Sequence, residues 1–166
     1  MPLIKDGRVI EDVWETVADE APLPHGPVIV SLTRLRAELE ELLARGTPLG
    51  VRLKSSERAR DLGDVAQRLA LIALEFPTFR DGRAYSTARV LRECMGFRGE
   101  LRAVGDVLRD QVFFMRRCGF DAFEMAGDQA LEGWLQAMGE FTVFYQPAAD
   151  DRTPASQLRR LRKAAE

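Results

Sequence analysis

Histidine is almost missing from this 166-residue sequence: His25 stands alone, in a stretch crowded with proline and glycine. A histidine-rich metal site and a Ser-His-Asp triad are therefore poor readings, and any bound metal would need carboxylate ligands. Cysteine is nearly as scarce. Cys94 and Cys118 form neither a CxxC pair nor a disulfide framework, and both sit in helical patterns, where reduced core thiols are expected. No GxGxxG follows the first strand of the main body. Ser31-Leu32-Thr33 stands there, a poor phosphate cradle, so a flavin or nicotinamide oxidoreductase lacks its usual signature and no cofactor is evident. Long apolar runs are absent too: none approaches the roughly 20 residues that span a bilayer. The opening Met1-Pro2-Leu3-Ile4-Lys5-Asp6 has no signal-peptide core, so the expectation is a cytoplasmic protein with no membrane partner. A net charge of −2 supplies no field for a polyanion, and with no RNA-binding or zinc-finger pattern, nucleic acid is not an expected partner.

What is present is an ordinary globular composition, 46% hydrophobic and 30% charged, which suits one domain folding alone or as a small homo-oligomer. The expected domain is residues 1–149, with a hairpin and connector over 1–20. Residues 150–166 form a polar, basic tail with Arg159, Arg160, Arg162 and Lys163 after Pro154, expected as a solvated helix. Leu3 to Ile10 has two short apolar segments around Asp6-Gly7, a dipeptide that favours a tight hairpin turn. Ala21 to Pro27 carries three prolines and reads as a connector.

From there strand and helix patterns alternate. Strands are expected at Val28–Leu32, Leu49–Leu53, Leu71–Phe76, Leu101–Val104, Ala122–Met125 and Thr142–Tyr145. Helices are expected at Leu35–Ala44, closed by Gly46, and near Ser56–Leu69, Ser86–Met95, Val107–Cys118 and Asp128–Met138. Crossovers of this length suit parallel neighbours, so the expected class is α/β: repeated strand-helix units in a mainly parallel sheet behind an N-terminal hairpin. A full eight-unit barrel takes about 250 residues, which leaves a partial TIM-barrel-like arrangement or an open sheet.

Each middle strand carries one charge where a strand covered on both faces should be apolar: Arg52, Glu75, Arg102 and Glu124. Alternation along a strand puts Gly50 beside Arg52, Ala73 beside Glu75 and Ala122 beside Glu124, leaving space around the charges. Isolated buried charges cost several kcal/mol each, so the four either form an ion-pair ladder or line a polar cavity at the strand ends. The densest cluster follows the third middle-body strand. There Arg80, Arg83 and Arg89 flank Asp81-Gly82, with Tyr85 or Ser86 expected at the start of the next helix as its cap. That pattern suits an oxyanion site at a helix start, or arginines already consumed by Asp81 and Glu75. In the next loop, Gly105 to Gln111, Asp106 caps a helix or, with Glu75, transfers protons; Arg109 completes the candidate ligand-binding set. Phe113 and Phe114 cannot both face one core, which leaves one for an interface or both buried between sheet and helices.

At these residues the chain resembles a bacterial family, domain of unknown function 934. The resemblance is carried by Glu75-Phe-Pro-x-Phe-Arg-Asp-Gly-Arg-x-Tyr-Ser-x-Ala-Arg, by Gly99-Glu-Leu-Arg-Ala-Val-Gly-Asp-Val-Leu-Arg-Asp-Gln, and by Arg117-Cys-Gly-Phe-Asp-Ala-Phe. It implies a protein of assimilatory sulfate and sulfite reduction, encoded with sulfite reductase or phosphoadenylylsulfate reductase and labelled an oxidoreductase. The family supplies no catalytic residue to carry over. The expectation is an enzyme or accessory protein that binds a small sulfur oxyanion or sulfonucleotide at the strand ends. The alternative is a non-catalytic partner of one of those reductases.

Overall fold

The computed structural model describes residues 2–125, 130–139, 143–150 and 152–164. The hairpin forms as the Asp-Gly dipeptide demands: β1 (Leu3–Lys5) and β2 (Arg8–Ile10) pair antiparallel, and both turn residues take positive φ, Asp6 at 49° and Gly7 at 75°. After β3 (Glu15–Thr16) come β4 (Val28–Ser31), α1 (Leu32–Ala37), α2 (Leu39–Ala44) and β5 (Leu49–Leu53). A 3-10 helix (Ala59–Arg68) leads to β6 (Leu71–Phe76), then α3 (Arg83–Arg89), a π-helical turn (Val90–Cys94) and β7 (Glu100–Gly105). The chain continues through α4 (Arg109–Arg117), β8 (Ala122–Glu124), α5 (Ala130–Gly139) and α6 (Ala155–Ala164).

The eight strands form one curled sheet, a half-barrel, in the order β2-β1-β8-β7-β6-β5-β4-β3. Consecutive strands from β3 to β8 are neighbours in parallel. The hairpin adds antiparallel pairs through β1 to β2 and to β8, so the sheet is mixed rather than mainly parallel. Folding the hairpin back onto the last strand pairs an edge that would otherwise be open. The two-residue β3 has no counterpart among the expected strands, because so short a segment shows no periodicity. Residues 143–145 are not strand, and Thr142 lies outside the described residues, as do 128–129 at the start of the expected fifth helix.

Several expected helices differ in form. Leu35–Ala44 is interrupted at Glu38 (φ −120°, ψ 24°), so two six-residue helices replace one. Gly63, at φ 54°, breaks the segment after β5 into 3-10 turns.

The two sheet faces differ sharply. Val30, Val51, Leu53, Ile72, Leu74, Ala103 and Phe123 face the helices and form the main core with Leu35, Leu42, Leu91 and Met115. On the other face Ile29, Leu71, Ala73 and Val104 make only a small cluster, against which Trp14 packs. This second face carries the strand charges. The register aligns Ser31 with Arg52, Arg52 with Ala73, Ala73 with Arg102 and Arg102 with Ala122. The small side chain of Ala73 therefore separates Arg52 from Arg102 across the sheet.

Candidate functional site

The four strand charges divide into two groups. Arg102 is 1% exposed, and its guanidinium binds three carboxylates: Asp12 through Nη1 at 2.6 Å and Nη2 at 3.2 Å, Glu100 through Nε at 2.8 Å, and Glu124 at 3.4 Å. Burial opposes its charge, but the hydrogen bonds to Asp12 and Glu100 outweigh burial and raise its pKa above the ordinary value. Glu100 also accepts from Lys5 Nζ at 2.8 Å, which holds that ammonium above its usual range. This cluster fastens hairpin, β7 and β8 together, and it leaves Arg102 and Glu124 occupied by the protein itself. A second internal pair, Arg92 with Asp121 at 2.8 Å, lies at the amino-terminal ends of β7 and β8. Asp121 also accepts from the Leu101 N–H at 2.8 Å.

Arg52 and Glu75 form the other group, 3.1 Å apart and 40% and 26% exposed. A partly solvated pair of this kind is worth at most about 1 kcal/mol, so a ligand can displace it. Both side chains line a cavity of about 300 Å³ at the carboxyl ends of β3 to β6. Its wall includes Ser31, which ends β4, Asp19 from the loop after β3, and Lys54 and Glu57 from the loop after β5. In open α/β sheets this end of the strands is where ligands bind.

The cavity is rigidly framed. Ser31 Oγ donates to Asp19 at 2.6 Å and accepts from the Arg34 N–H at 3.0 Å, capping α1. Arg34, 7% exposed, donates to the Ala18 and Ala21 carbonyls at 2.6 and 2.8 Å and fixes the loop that carries Asp19. Glu57 accepts from the Lys54 N–H at 2.7 Å, and the exposed Lys54 ammonium forms no ion pair among the described residues. Arg52 and Lys54 thus offer positive charge beside three carboxylates, of which Asp19 is engaged by Ser31, Glu57 by the Lys54 N–H and Glu75 by Arg52.

The arginine-rich loop after β6 is arranged differently from expectation. The cap of α3 is Gly82, not Tyr85 or Ser86, and both of those lie inside the helix. At its start Asp81 takes the place of an external anion. It accepts from the Arg83 N–H at 3.2 Å and from the Arg83 guanidinium at 2.9 and 2.5 Å. The guanidinium beside it holds the Asp81 carboxyl well below the usual carboxylate range. Arg83 also donates to Ser55 Oγ at 2.8 Å, linking α3 to the loop after β5. Arg89 is spent on Glu93 at the far end of the helix, and Arg80 stacks over the Phe79 ring, 5.4 Å from its centroid. Tyr85 turns inward, edge-on to Phe76 at 5.4 Å, where burial pushes its phenol up to about 12.

Asp106 caps no helix, because the N-cap of α4 is Leu108. Its carboxylate accepts from the Phe79 N–H at 2.8 Å, while Gln111 donates to the Phe79 carbonyl at 2.8 Å. The two residues lock the loop after β6 onto the loop after β7. Arg109 packs along α5, its side-chain carbon 3.1 Å from where a Cβ on Gly133 would stand. Of the expected core thiols, Cys94, which ends the π-helical turn, is exposed. Cys118 is half-buried, and burial raises its pKa, which lowers its thiolate fraction.

Glu75 and Arg52 therefore meet in one cavity, whereas Arg83, Asp106 and Arg102 each have protein partners of their own. Lys54, Ser31 and Asp19 were not among the residues that the sequence pointed to. The available signal was position: Ser31 and Lys54 stand at or just after the carboxyl end of a parallel strand. Among the described residues, no group of three or more His, Cys, Asp or Glu side chains is arranged to hold a metal ion. Likewise no helix among them is long and apolar enough to cross a membrane.

Fold and cavity together define a mixed α/β half-barrel with a polar pocket at its strand ends. Residues 50–156 match the family described as bacterial protein of unknown function (DUF934), and the chain belongs to that family. A comparison with curated proteins finds no match.

Proposed function

We propose that this protein binds a small oxyanion in the cavity at the carboxyl ends of β3 to β6, as an enzyme or accessory protein of bacterial sulfite reduction. The observation that carries the reading is the placement of Arg52 and the exposed Lys54 beside Glu75 and Ser31 in one solvent-accessible cavity. A planar guanidinium and a mobile ammonium are the usual donors to sulfur and phosphorus oxyanions. Glu75, the carboxylate paired with Arg52, is the candidate for proton transfer to a ligand held there. The sulfur assignment rests on the family resemblance, and the site chemistry is compatible with it.

Titration calorimetry with sulfite, sulfate and adenylylsulfate tests this. A charge-assisted hydrogen bond contributes about 1.5–3 kcal/mol. Arg52→Ala and Lys54→Ala should therefore each weaken binding by about tenfold or more, with little change in melting temperature. Glu75→Gln should tighten binding severalfold, because it removes the carboxylate that competes for Arg52. Affinity unchanged in all three variants would defeat the proposal.

A second reading, a non-catalytic partner of sulfite or phosphoadenylylsulfate reductase, is favoured by one surface. Phe113, Phe114, Phe144 and Tyr145 line a groove of about 370 Å³, with Phe114 57% and Tyr145 85% exposed. Phe113 is buried and stacks on Phe144, so the two adjacent phenylalanines do part between core and solvent. Under this reading Phe114→Ser abolishes co-purification with the reductase and leaves oxyanion titrations unchanged.

A further inference from the structure

The cavity at the carboxyl ends of β3 to β6 is not uniformly positive. Arg52 and Lys54 share its wall with three carboxylates, Asp19, Glu57 and Glu75, so acids outnumber cations there. Glu75 is spent on Arg52 at 3.1 Å. Asp19 and Glu57 are only half used. Asp19 accepts from Ser31 Oγ through Oδ1, and Glu57 accepts from the Lys54 N–H through Oε2. Asp19 Oδ2 and Glu57 Oε1 have no hydrogen-bond partner among the described residues, and neither carboxylate forms an ion pair there.

A bare oxyanion entering this wall meets more negative groups than positive ones, and each close like-charge pair opposes it. A ligand that brings its own ammonium can donate to Asp19 and Glu57 and leave Arg52 and Lys54 for its acidic end. The sheet sets the two kinds of group side by side. Ser31, which holds Asp19, is the register partner of Arg52, and neighbouring strands lie about 4.8 Å apart. A molecule with opposite charges a few bonds apart can reach both strand ends, and a cavity of about 300 Å³ has room for it.

We infer that the ligand is a small zwitterion, an oxyanion group and an ammonium on one short carbon chain, of the aminosulfonate or amino-acid class. Arg52 and Lys54 take the oxyanion, and Asp19 and Glu57 take the ammonium. The inference rests on the oxyanion reading of this cavity and adds the ligand's second charge. It makes Asp19 and Glu57 the residues that favour an amine-bearing anion over a simple one.

The test is calorimetry on the full chain with taurine, with ethanesulfonate, which lacks the ammonium, with β-alanine, whose acid is a carboxylate, and with sulfite. At least one zwitterion should bind about tenfold to a hundredfold more tightly than ethanesulfonate, the gain expected of a charge-assisted contact to the ammonium. Tighter binding of taurine assigns a sulfonate ligand, and tighter binding of β-alanine a carboxylate one. In the double variant Asp19→Asn/Glu57→Gln, amide oxygens can still accept from Ser31 and from the Lys54 N–H, so the melting temperature should hold. That variant should lose the preference and bind ethanesulfonate more tightly than the wild type does. Ethanesulfonate bound as tightly as both zwitterions, or a preference that survives in the double variant, overturns the inference. If sulfite affinity still falls in Arg52→Ala, the oxyanion reading stands without it. Sulfite binding with neither zwitterion bound also overturns the zwitterion alone, and no binding of any probe overturns both readings.

Discussion

Replacing Arg102 with alanine is expected to lower stability by about 3–5 kcal/mol, the usual result of removing one partner from a buried ion cluster. The guanidinium is 1% exposed, and its loss strands Asp12, Glu100 and Glu124 around a cavity with only Lys5 left to neutralise them. The pair to Asp12 crosses 90 positions of sequence, so the same change releases the N-terminal segment from the second sheet face. For a chain of this size the melting temperature should fall by about 10 °C. Arg102→Lys should recover only part of the loss, because one ammonium cannot meet three carboxylates in the directions that a planar fork reaches. Urea unfolding gives the check: the midpoint should move with the slope unchanged. A shift under about 1 kcal/mol would mean that the carboxylates find water instead.

The second large effect is expected at Gly105, which ends β7 with φ 95°. A Cβ placed there would stand 2.4 Å from the carbonyl oxygen of Phe76 and 3.2 Å from its carbonyl carbon. The obstacle is backbone of the neighbouring strand, which cannot rotate aside as a side chain does. Gly105→Ala should therefore cost about 2–4 kcal/mol, combining the positive-φ penalty with overpacking. Gly96 has a comparable φ of 66° with nothing within 4 Å of its Cβ position, so Gly96→Ala should cost only about 1 kcal/mol. The difference isolates the strand contact. The Gly105 change should also disturb the adjoining loops, since the Asp106 N–H donates to the same Phe76 carbonyl at 2.8 Å and the Asp106 carboxylate holds Phe79. Faster amide exchange at Phe79 would report it.

Much of the fold was legible because local signals agree. Asp6-Gly7 specifies its hairpin, and the apolar runs from Val28 to Phe123 mark strands that pair in chain order. What escaped were features set by tertiary contact. The hairpin's pairing with β8 joins residues about 120 positions apart and turns an expected parallel sheet into a mixed one. Gly63 and Glu38 broke helices whose periodicity alone looked continuous.

The site was legible in part, for similar reasons. The charges on the middle strands lie together on the face opposite the helix-packed one. Their division into an internal cluster and a cavity depends on Asp12 and Glu100, and on depth along the strands, which composition does not encode. The arginine density at residues 80 to 89 drew attention away from Lys54, yet Asp81 stands two residues from Arg83 and satisfies it locally. A count of arginines without their nearest carboxylates overstates what is free to bind a ligand.

Diffraction from crystals soaked in selenate, which matches sulfate in shape and scatters anomalously, tests the cavity most directly. An anomalous peak is expected between the Arg52 guanidinium and the Lys54 ammonium, with Glu75 released from its partner. Selenate bound only elsewhere, with Arg52 still paired to Glu75, would contradict it.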